Sequence, residues 1–123
     1  KLYNDYYGHL AGDDCLRRVA QIVSTAAARP RDLLARFGGE EFALVLPETD
    51  LEAACQVAER CRAALADAAI PHRASDVSHL VTVSMGVATA TPAEGGIPAS
   101  LIEQADRRLY QAKQSGRDRI VGA

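Results

Sequence analysis

Two adjacent glycines followed by two adjacent glutamates separate two short apolar runs in the first half of the chain. The runs, residues 33–37 and 42–46, have the composition of β-strands. Gly38 and Gly39 supply the positive φ angles that a two-residue primed turn requires. The sequence therefore predicts a hairpin that bends at the glycines and carries the two glutamates at its tip.

The glutamates at that tip, Glu40 and Glu41, are adjacent carboxylates that repel each other. Such a pair favours a metal ion or a basic ligand group that neutralises it, whereas a solvated hairpin tip is the alternative that needs no ligand. Gly38 and Gly39 leave no side chain to keep a ligand away from the backbone. The hairpin is therefore a candidate binding site.

The composition predicts one domain over residues 1–123, since 48% hydrophobic and 24% charged residues suffice for an ordinary core. The net charge of −2 predicts no broad attraction to DNA, RNA or an anionic membrane. No apolar run reaches the roughly 18 residues of a membrane span, so we expect a cytoplasmic domain without direct membrane contact. The three cysteines lack zinc-ligand spacing and are expected to be reduced core thiols.

The periodicity of apolar residues predicts three helices, over residues 13–29, 51–68 and 99–114, with Thr49 or Asp50 as the N-cap of the second. The hairpin arms, residues 80–89 and residues 119–121 are predicted strands. Strands that alternate with helices favour an α/β fold with a mixed central β-sheet flanked by helices.

Four segments together resemble the GGDEF family, the diguanylate cyclases. Residues 36–42 resemble the family signature, with glutamate at its third position. Residues 1–13 are similar to F-K-x-x-N-D-x-x-G-H-x-x-G-D entered at its lysine, residues 83–88 to S-x-G-V/I-A, and residues 110–117 to Y-x-A-K-x-x-G-R. The resemblance implies a palm-like nucleotidyl cyclase fold. In the family a strand with a metal-binding aspartate precedes that lysine, so the domain is expected to lack its first strand and, alone, to have little or no cyclase activity.

The resemblance also implies an activity: two GTP molecules are condensed into cyclic di-GMP and pyrophosphate, each GTP held by one of two facing domains. A homodimer and Mg²⁺ (or Mn²⁺) are therefore expected. Glu40 corresponds to a metal ligand and candidate general base, and Glu41 to a second acidic contributor. Gly38 and Gly39 correspond to the positions where the backbone approaches the nucleotide.

Four further residues match the family's substrate-binding positions. Asn4 and Asp13 correspond to a guanine-binding pair, although an Asx turn and a helix N-cap are the structural alternatives. Lys113 and Arg117 correspond to phosphate-binding cations, although a lysine and an arginine near a helix end also complement the helix dipole. Asp118 stands where many relatives have asparagine.

A second site is implied by an R-x-x-D pattern, Arg29 to Asp32, which matches the family's inhibitory product site. Arginine can donate to guanine O6 and N7 while aspartate accepts from the donors of the base. Arg60 falls where relatives supply another arginine. The alternative function is a noncatalytic cyclic di-GMP receptor that uses these three residues, and a module that binds GTP without turnover is a third possibility. The chain by itself is expected to retain cyclic di-GMP binding.

Overall fold

The computed structural model describes residues 6–27, 32–38, 41–73, 75, 78, 80–90 and 99–122 of the chain. Four predicted site residues, Asn4, Arg29, Gly39 and Glu40, lie outside these ranges. Along the chain the elements are α1 (His9–Ala27), β1 (Leu33–Gly38), β2 (Glu41–Val45), α2 (Leu51–Ala68), β3 (Met85–Gly86), α3 (Ala99–Gln114) and β4 (Ile120–Val121).

The first helix, α1, begins at His9, four residues before the predicted start at Asp13. Gly8 precedes it with φ +91°, and its carbonyl oxygen accepts a hydrogen bond from the amide of Gly12 at 3.0 Å. A left-handed backbone of this kind suits glycine, which has no Cβ. The predicted boundary is wrong, and so is the alternative of Asp13 as an N-cap, because Asp13 already lies inside the helix.

The hairpin is antiparallel, with Leu33 opposite Val45 and Gly38 opposite Glu41. The register is irregular between Arg36 and Gly38. Gly38 is therefore the last residue of the β1 ladder rather than part of the predicted two-residue turn. The pairing sets Glu41 at the first position of β2, where its side chain is exposed.

The second helix, α2, has the predicted bounds, and Asp50 is its N-cap. The Asp50 carboxylate accepts a hydrogen bond from the Ala53 amide at 2.8 Å, which satisfies one of the amides that a helix start leaves without a partner. The residues predicted on one face are all buried, namely Ala54, Val57, Ala58, Cys61 and Leu65. The helix ends at Ala69, which has φ 51°.

The α/β class is confirmed, and the strand pairing is mixed as predicted. In the described part of the chain it is divided between two two-stranded sheets, the hairpin and the parallel pair β3–β4. The strand predicted over residues 80–89 is shorter than expected, because β4 pairs with only Met85 and Gly86. Leu80 forms an isolated bridge with Pro71 instead.

The core lies where α2 contacts α1, the hairpin and β3. Val57 and Cys61 of α2 pack with Ala27 of α1, and partly buried side chains surround them, namely Val23, Ala26, Leu44, Leu46 and Met85. None of the three cysteines, all of which the structure describes, forms a disulfide, and burial raises the pKa of the Cys61 thiol. None of the described helices is long and apolar enough to span a bilayer.

Candidate functional site

A cleft of about 460 Å³ separates α1 from the hairpin. One face of α1 forms one wall, since the residues it contributes recur at helical spacing. β1 and β2 form the other wall. The lining residues are Asp13, Leu16, Arg17, Ala20 and Ser24 of α1 with Leu34, Arg36 and Phe42 of the hairpin. The packing of α1 beside the hairpin thus places the predicted guanine-binding aspartate against the segment that resembles the family signature.

The described lining of the cleft combines charge with apolar surface. Asp13 brings a carboxylate, and Arg17 and Arg36 bring guanidinium groups, whereas Leu34 and Phe42 are apolar. Guanidinium groups donate several hydrogen bonds and suit phosphate or carboxylate oxygens. A ligand with a flat, partly apolar base and an anionic tail matches this combination.

Arg17 and Arg36 had no site role in the sequence interpretation. Arg17 follows Asp13 by four residues, so the two share a helix face, and that spacing was the available signal. Its guanidinium group also pairs with Asp14 at 2.7 Å, a contact in which both side chains are about three-quarters exposed. Arg36 belongs to the quoted signature, but only its packing against the cleft connects it with Asp13.

Two predicted site residues from distant segments come together beside the turn of the hairpin. Lys113 Nζ lies 3.8 Å from Glu41 Oε1. Lys113 belongs to the last turn of α3, and Glu41 begins β2. Their side chains are 35% and 48% exposed, respectively, so both remain accessible to a ligand. The contact joins the predicted phosphate-binding helix end to the acidic hairpin.

Arg117 lies just beyond α3 in an exposed position. Its φ is 62°, and its amide donates to the Ala112 carbonyl at 2.9 Å. This bond satisfies a carbonyl at the helix end while the chain reverses direction. Lys113 and Arg117 are thus held in one compact turn at the C-terminal end of α3.

The residues of the predicted product site are described only in part. Asp32 is half-buried immediately before β1, and Arg60 is exposed on α2. Cys61, next to Arg60, is within 3.9 Å of the Val23 carbonyl. The part of α2 that carries Arg60 therefore lies alongside the C-terminal half of α1, beyond which the chain leads to Asp32.

The donors available for a metal ion are carboxylates at the hairpin. In the ranges that the structure describes, no three His, Cys, Asp or Glu side chains are grouped closely enough to hold one. Glu41 offers an exposed carboxylate, and oxygen donors of this kind suit Mg²⁺ or Mn²⁺. The chemistry of Glu41 fits such an ion, with Glu40 next to it in sequence.

Comparison with known proteins identifies the same family along almost the whole chain. The family model described as "Diguanylate cyclase, GGDEF domain" matches residues 1–119. The diguanylate cyclase DgcP of Pseudomonas aeruginosa is 42% identical over 120 residues, which cover 98% of this chain and 17% of DgcP. The chain spans 17 to 33% of the length of DgcP and similar curated relatives.

Solved structures give the same result. The GGDEF domain of DgcB from Caulobacter crescentus, in complex with c-di-GMP, matches with a TM-score of 0.80 and 36% identity over 97% of this chain and 68% of that one. The active GGEEF domain of a diguanylate cyclase from Vibrio cholerae matches with a TM-score of 0.80 and 31% identity over 98% of this chain and 73% of that one.

Proposed function

The chain belongs to the GGDEF domain family, and we propose that, within the natural full-length protein, it condenses two molecules of GTP into cyclic di-GMP and pyrophosphate, whereas the chain by itself has little or no such activity. The observation that carries the proposal is the shared cleft: Asp13 and the hairpin residues Arg36 and Phe42 line it together. Its volume of about 460 Å³ lies in the range of ordinary small-molecule sites. The Vibrio cholerae domain, called active, also has the GGEEF form of the motif.

We propose that guanine is recognised by Asp13 and Asn4. A carboxylate can accept hydrogen bonds from both N1–H and the N2 amino group of guanine, whereas adenine lacks this pair of donors on the corresponding edge. The amide of Asn4 offers both a donor and an acceptor. The exposure of Asp13 at the cleft supports its part of the assignment.

The triphosphate is anionic and requires nearby positive charge. The domain as a whole does not supply it, because its net charge is −2. We assign this role to Lys113 and Arg117, which flank the end of α3. Charge-assisted hydrogen bonds from such groups to phosphate oxygens are about twice as strong as neutral ones. The contact between Lys113 and Glu41 supports a triphosphate position beside the start of β2.

The reaction consists of two equivalent displacements. The 3′-hydroxyl oxygen of each GTP forms a bond to the α-phosphorus of the other, and the bond from that phosphorus to the oxygen bridging to the β-phosphate breaks. Pyrophosphate leaves with the bonding electron pair, and Glu40 is the candidate base for the hydroxyl proton. Gly38 and Gly39 let the backbone approach the nucleotide closely. The two displacements together yield one cyclic di-GMP and two pyrophosphates, and they require two domains that face each other as a homodimer.

A divalent ion is part of the proposal. Mg²⁺ or Mn²⁺, when bound, supplies positive charge that offsets the charge developing on the phosphates. Glu40 and Glu41 are the residues that would hold it. Neighbouring carboxylates are suitable ligands, because the ion removes the repulsion between them.

We also propose that cyclic di-GMP binds at Arg29, Asp32 and Arg60 and inhibits the enzyme. The contact of Cys61, the neighbour of Arg60, with Val23 supports this assignment, because it brings this part of α2 alongside the C-terminal half of α1. The DgcB domain was solved in complex with c-di-GMP, so a homologous domain binds this nucleotide. The alternative, a noncatalytic receptor, would use the same residues without turnover.

Turnover by the natural full-length protein tests the catalytic proposal. With GTP and Mg²⁺ we expect cyclic di-GMP and pyrophosphate in a ratio of one to two, detected by chromatography and a phosphate assay. Glu40→Gln is expected to abolish the reaction, and Glu103→Gln, on the exposed face of α3, serves as the control. Tight binding of cyclic di-GMP without any GTP turnover by the wild-type protein would favour the receptor instead.

Calorimetry tests the product site. An Arg29→Ala/Asp32→Ala double variant is expected to lose cyclic di-GMP binding, whereas Arg31→Ala, which changes the arginine between them, is expected to keep it. If the double variant still binds cyclic di-GMP, the binding site would instead be the cleft around Asp13.

A further inference from the structure

Arg62 of α2 and Asp118, in the loop that follows α3, form an ion pair between distant parts of the chain. Arg62 Nη1 donates to Asp118 Oδ1 at 3.2 Å, and the two side chains are 32% and 36% exposed. Arg62 is itself fixed by Glu59, one turn earlier on α2, through bonds of 3.1 Å from Nε and 2.7 Å from Nη2. A guanidinium group held by two bonds to one carboxylate has a defined orientation.

The loop that this pair holds has an unusual backbone. Gly116, Arg117 and Asp118 have φ angles of 124°, 62° and 45°. Side chains other than glycine rarely adopt positive φ, and such a conformation persists only when surrounding contacts enforce it. Two such residues in succession, Arg117 and Asp118, therefore need external support.

Several bonds provide that support. The Arg117 amide donates to Ala112, and the Arg117 carbonyl accepts from Arg119 Nε at 3.0 Å. The Arg119 carbonyl accepts from the Met85 amide at 2.9 Å, which ties the loop to β3. The bond from Arg62 to Asp118 is a side-chain bond that reaches the loop from α2. Its acceptor, Asp118, is the residue directly after Arg117.

We propose that Arg62 is a positioning residue for nucleotide binding, which acts through Asp118 to hold Arg117 where it meets the triphosphate. The inference rests on the proposed function, because Arg117 is assigned there to phosphate binding. A partly exposed ion pair adds little to global stability, so the effect of Arg62 is local. Asp118 fits this role, since its side chain offers oxygen acceptors and aspartate tolerates a left-handed backbone.

Kinetics on the natural full-length protein test the proposal. Arg62→Met keeps the apolar stem but removes the donors, and we expect it to raise the KM for GTP about tenfold, as for one lost charge-assisted hydrogen bond, with kcat little changed. Asp118→Ala should match it, and Asp118→Asn should stay within about twofold of wild type because the acceptor remains. Arg107→Met, an exposed arginine on α3, is the control.

A double-mutant cycle gives the decisive comparison. If Arg62 acts through Arg117, the Arg62→Met/Arg117→Met protein should have the same KM as Arg117→Met alone. If the KM of the double variant instead rises by the product of the two single-variant factors, the proposal is overturned.

Amide hydrogen exchange gives a readout that does not depend on turnover. Arg62→Met should accelerate exchange at the Arg117 amide while leaving the α2 core amides protected. Unchanged exchange at Arg117 would overturn the positioning role directly. Faster exchange without any effect of Arg117→Met on KM would instead overturn the assignment of Arg117 to phosphate.

Discussion

Glu41 Oε1 lies 3.8 Å from Lys113 Nζ, so the first residue of β2 and the last turn of α3 meet through opposite charges. A triphosphate placed here would compete with the carboxylate for the ammonium group. A divalent ion would compete with the ammonium group for the carboxylate. The pair is thus the point at which phosphate binding and metal binding meet in the proposed mechanism.

Removal of the carboxylate from this pair should strengthen metal-free binding of GTP. In Glu41→Gln the ammonium group of Lys113 no longer has a competing anion, so the dissociation constant in EDTA should fall about 1.4- to fivefold, as expected for a partly exposed pair worth about 0.2–1 kcal/mol. Lys113→Met should weaken the same binding by about 10- to 100-fold. Calorimetry measures both.

Glu103→Gln, on the exposed face of α3, is the matched control and should bind as wild type does. Weaker metal-free binding in Glu41→Gln would contradict the competition. With Mg²⁺ present the sign should reverse, because Glu41 is proposed to hold the ion.

Asp13→Asn should relax the choice between GTP and ATP. A carboxylate accepts from both guanine donors with its two oxygens, whereas an amide has only one oxygen. The ratio of kcat/KM for GTP to kcat/KM for ATP should therefore fall by about 10- to 100-fold. Asp67→Asn, exposed on α2, should leave the ratio unchanged. An equal loss for both nucleotides would show that Asp13 does not read the base.

Ala69→Gly should stabilise the domain. Ala69 ends α2 with φ 51°, and its amide donates to the Ala66 carbonyl at 3.2 Å. Glycine adopts this backbone without a Cβ penalty, so the free energy of unfolding in urea should rise by about 0.5–1 kcal/mol. Ala63→Gly, exposed within α2, should lower it by about 1 kcal/mol. A decrease for both variants would refute the capping argument.

The Glu59–Arg62 pair should make stability depend on acid pH. The hydrogen bonds from Arg62 lower the pKa of Glu59 below its ordinary value of 4.5. A depressed carboxylate pKa contributes stability above the unfolded pKa, and that contribution is lost as the pH falls through the folded value. The difference in unfolding free energy between wild type and Glu59→Gln should therefore be present at neutral pH and shrink below pH 4.5.

The control for this dependence uses the other partner. In a protein that already carries Arg62→Met, the Glu59→Gln substitution should no longer change how the free energy of unfolding depends on pH between neutral and acid conditions. A profile that persists without Arg62 would assign the depressed pKa to another cause.

Gly86→Ala should disrupt the contact between β3 and α3. A Cβ at Gly86 would fall against the backbone of α3, at the Ala105 carbonyl oxygen and the Leu109 amide nitrogen. Backbone atoms of a helix cannot move aside singly, so the free energy of unfolding should fall by about 3 kcal/mol or more. Gly8→Ala, with open space around it but φ +91°, should cost only about 1–2 kcal/mol of backbone strain. Equal small effects of both substitutions would contradict the close approach.

Local signals in the sequence were sufficient for two helices. The bounds of α2 and α3 and the buried face of α2 were predicted correctly, because an apolar repeat of 3.6 residues and a capping residue such as Asp50 act within a few positions. The family was predicted from short motifs for a similar reason, since glycines and charged residues at a fixed spacing can be recognised without knowledge of the rest of the structure. The family model confirms it.

Other features depended on parts of the chain far apart in sequence. The strand predicted over residues 80–89 is paired at only two residues, because β4 provides only two partners. The sequence predicts Asp13, Asn4, Lys113, Arg117, Glu40 and Glu41 one by one as site residues, and these roles stay predictions; the sequence does not predict how such residues are arranged in space. The placement of α1 and the hairpin on opposite sides of one cleft, and the packing of α3 against β3, decided that Asp13 shares a cleft with Arg36, that Lys113 meets Glu41, and that Arg62 reaches Asp118. Such contacts arise only after burial of apolar surface has fixed the positions of whole elements, because no local preference specifies which distant charges meet.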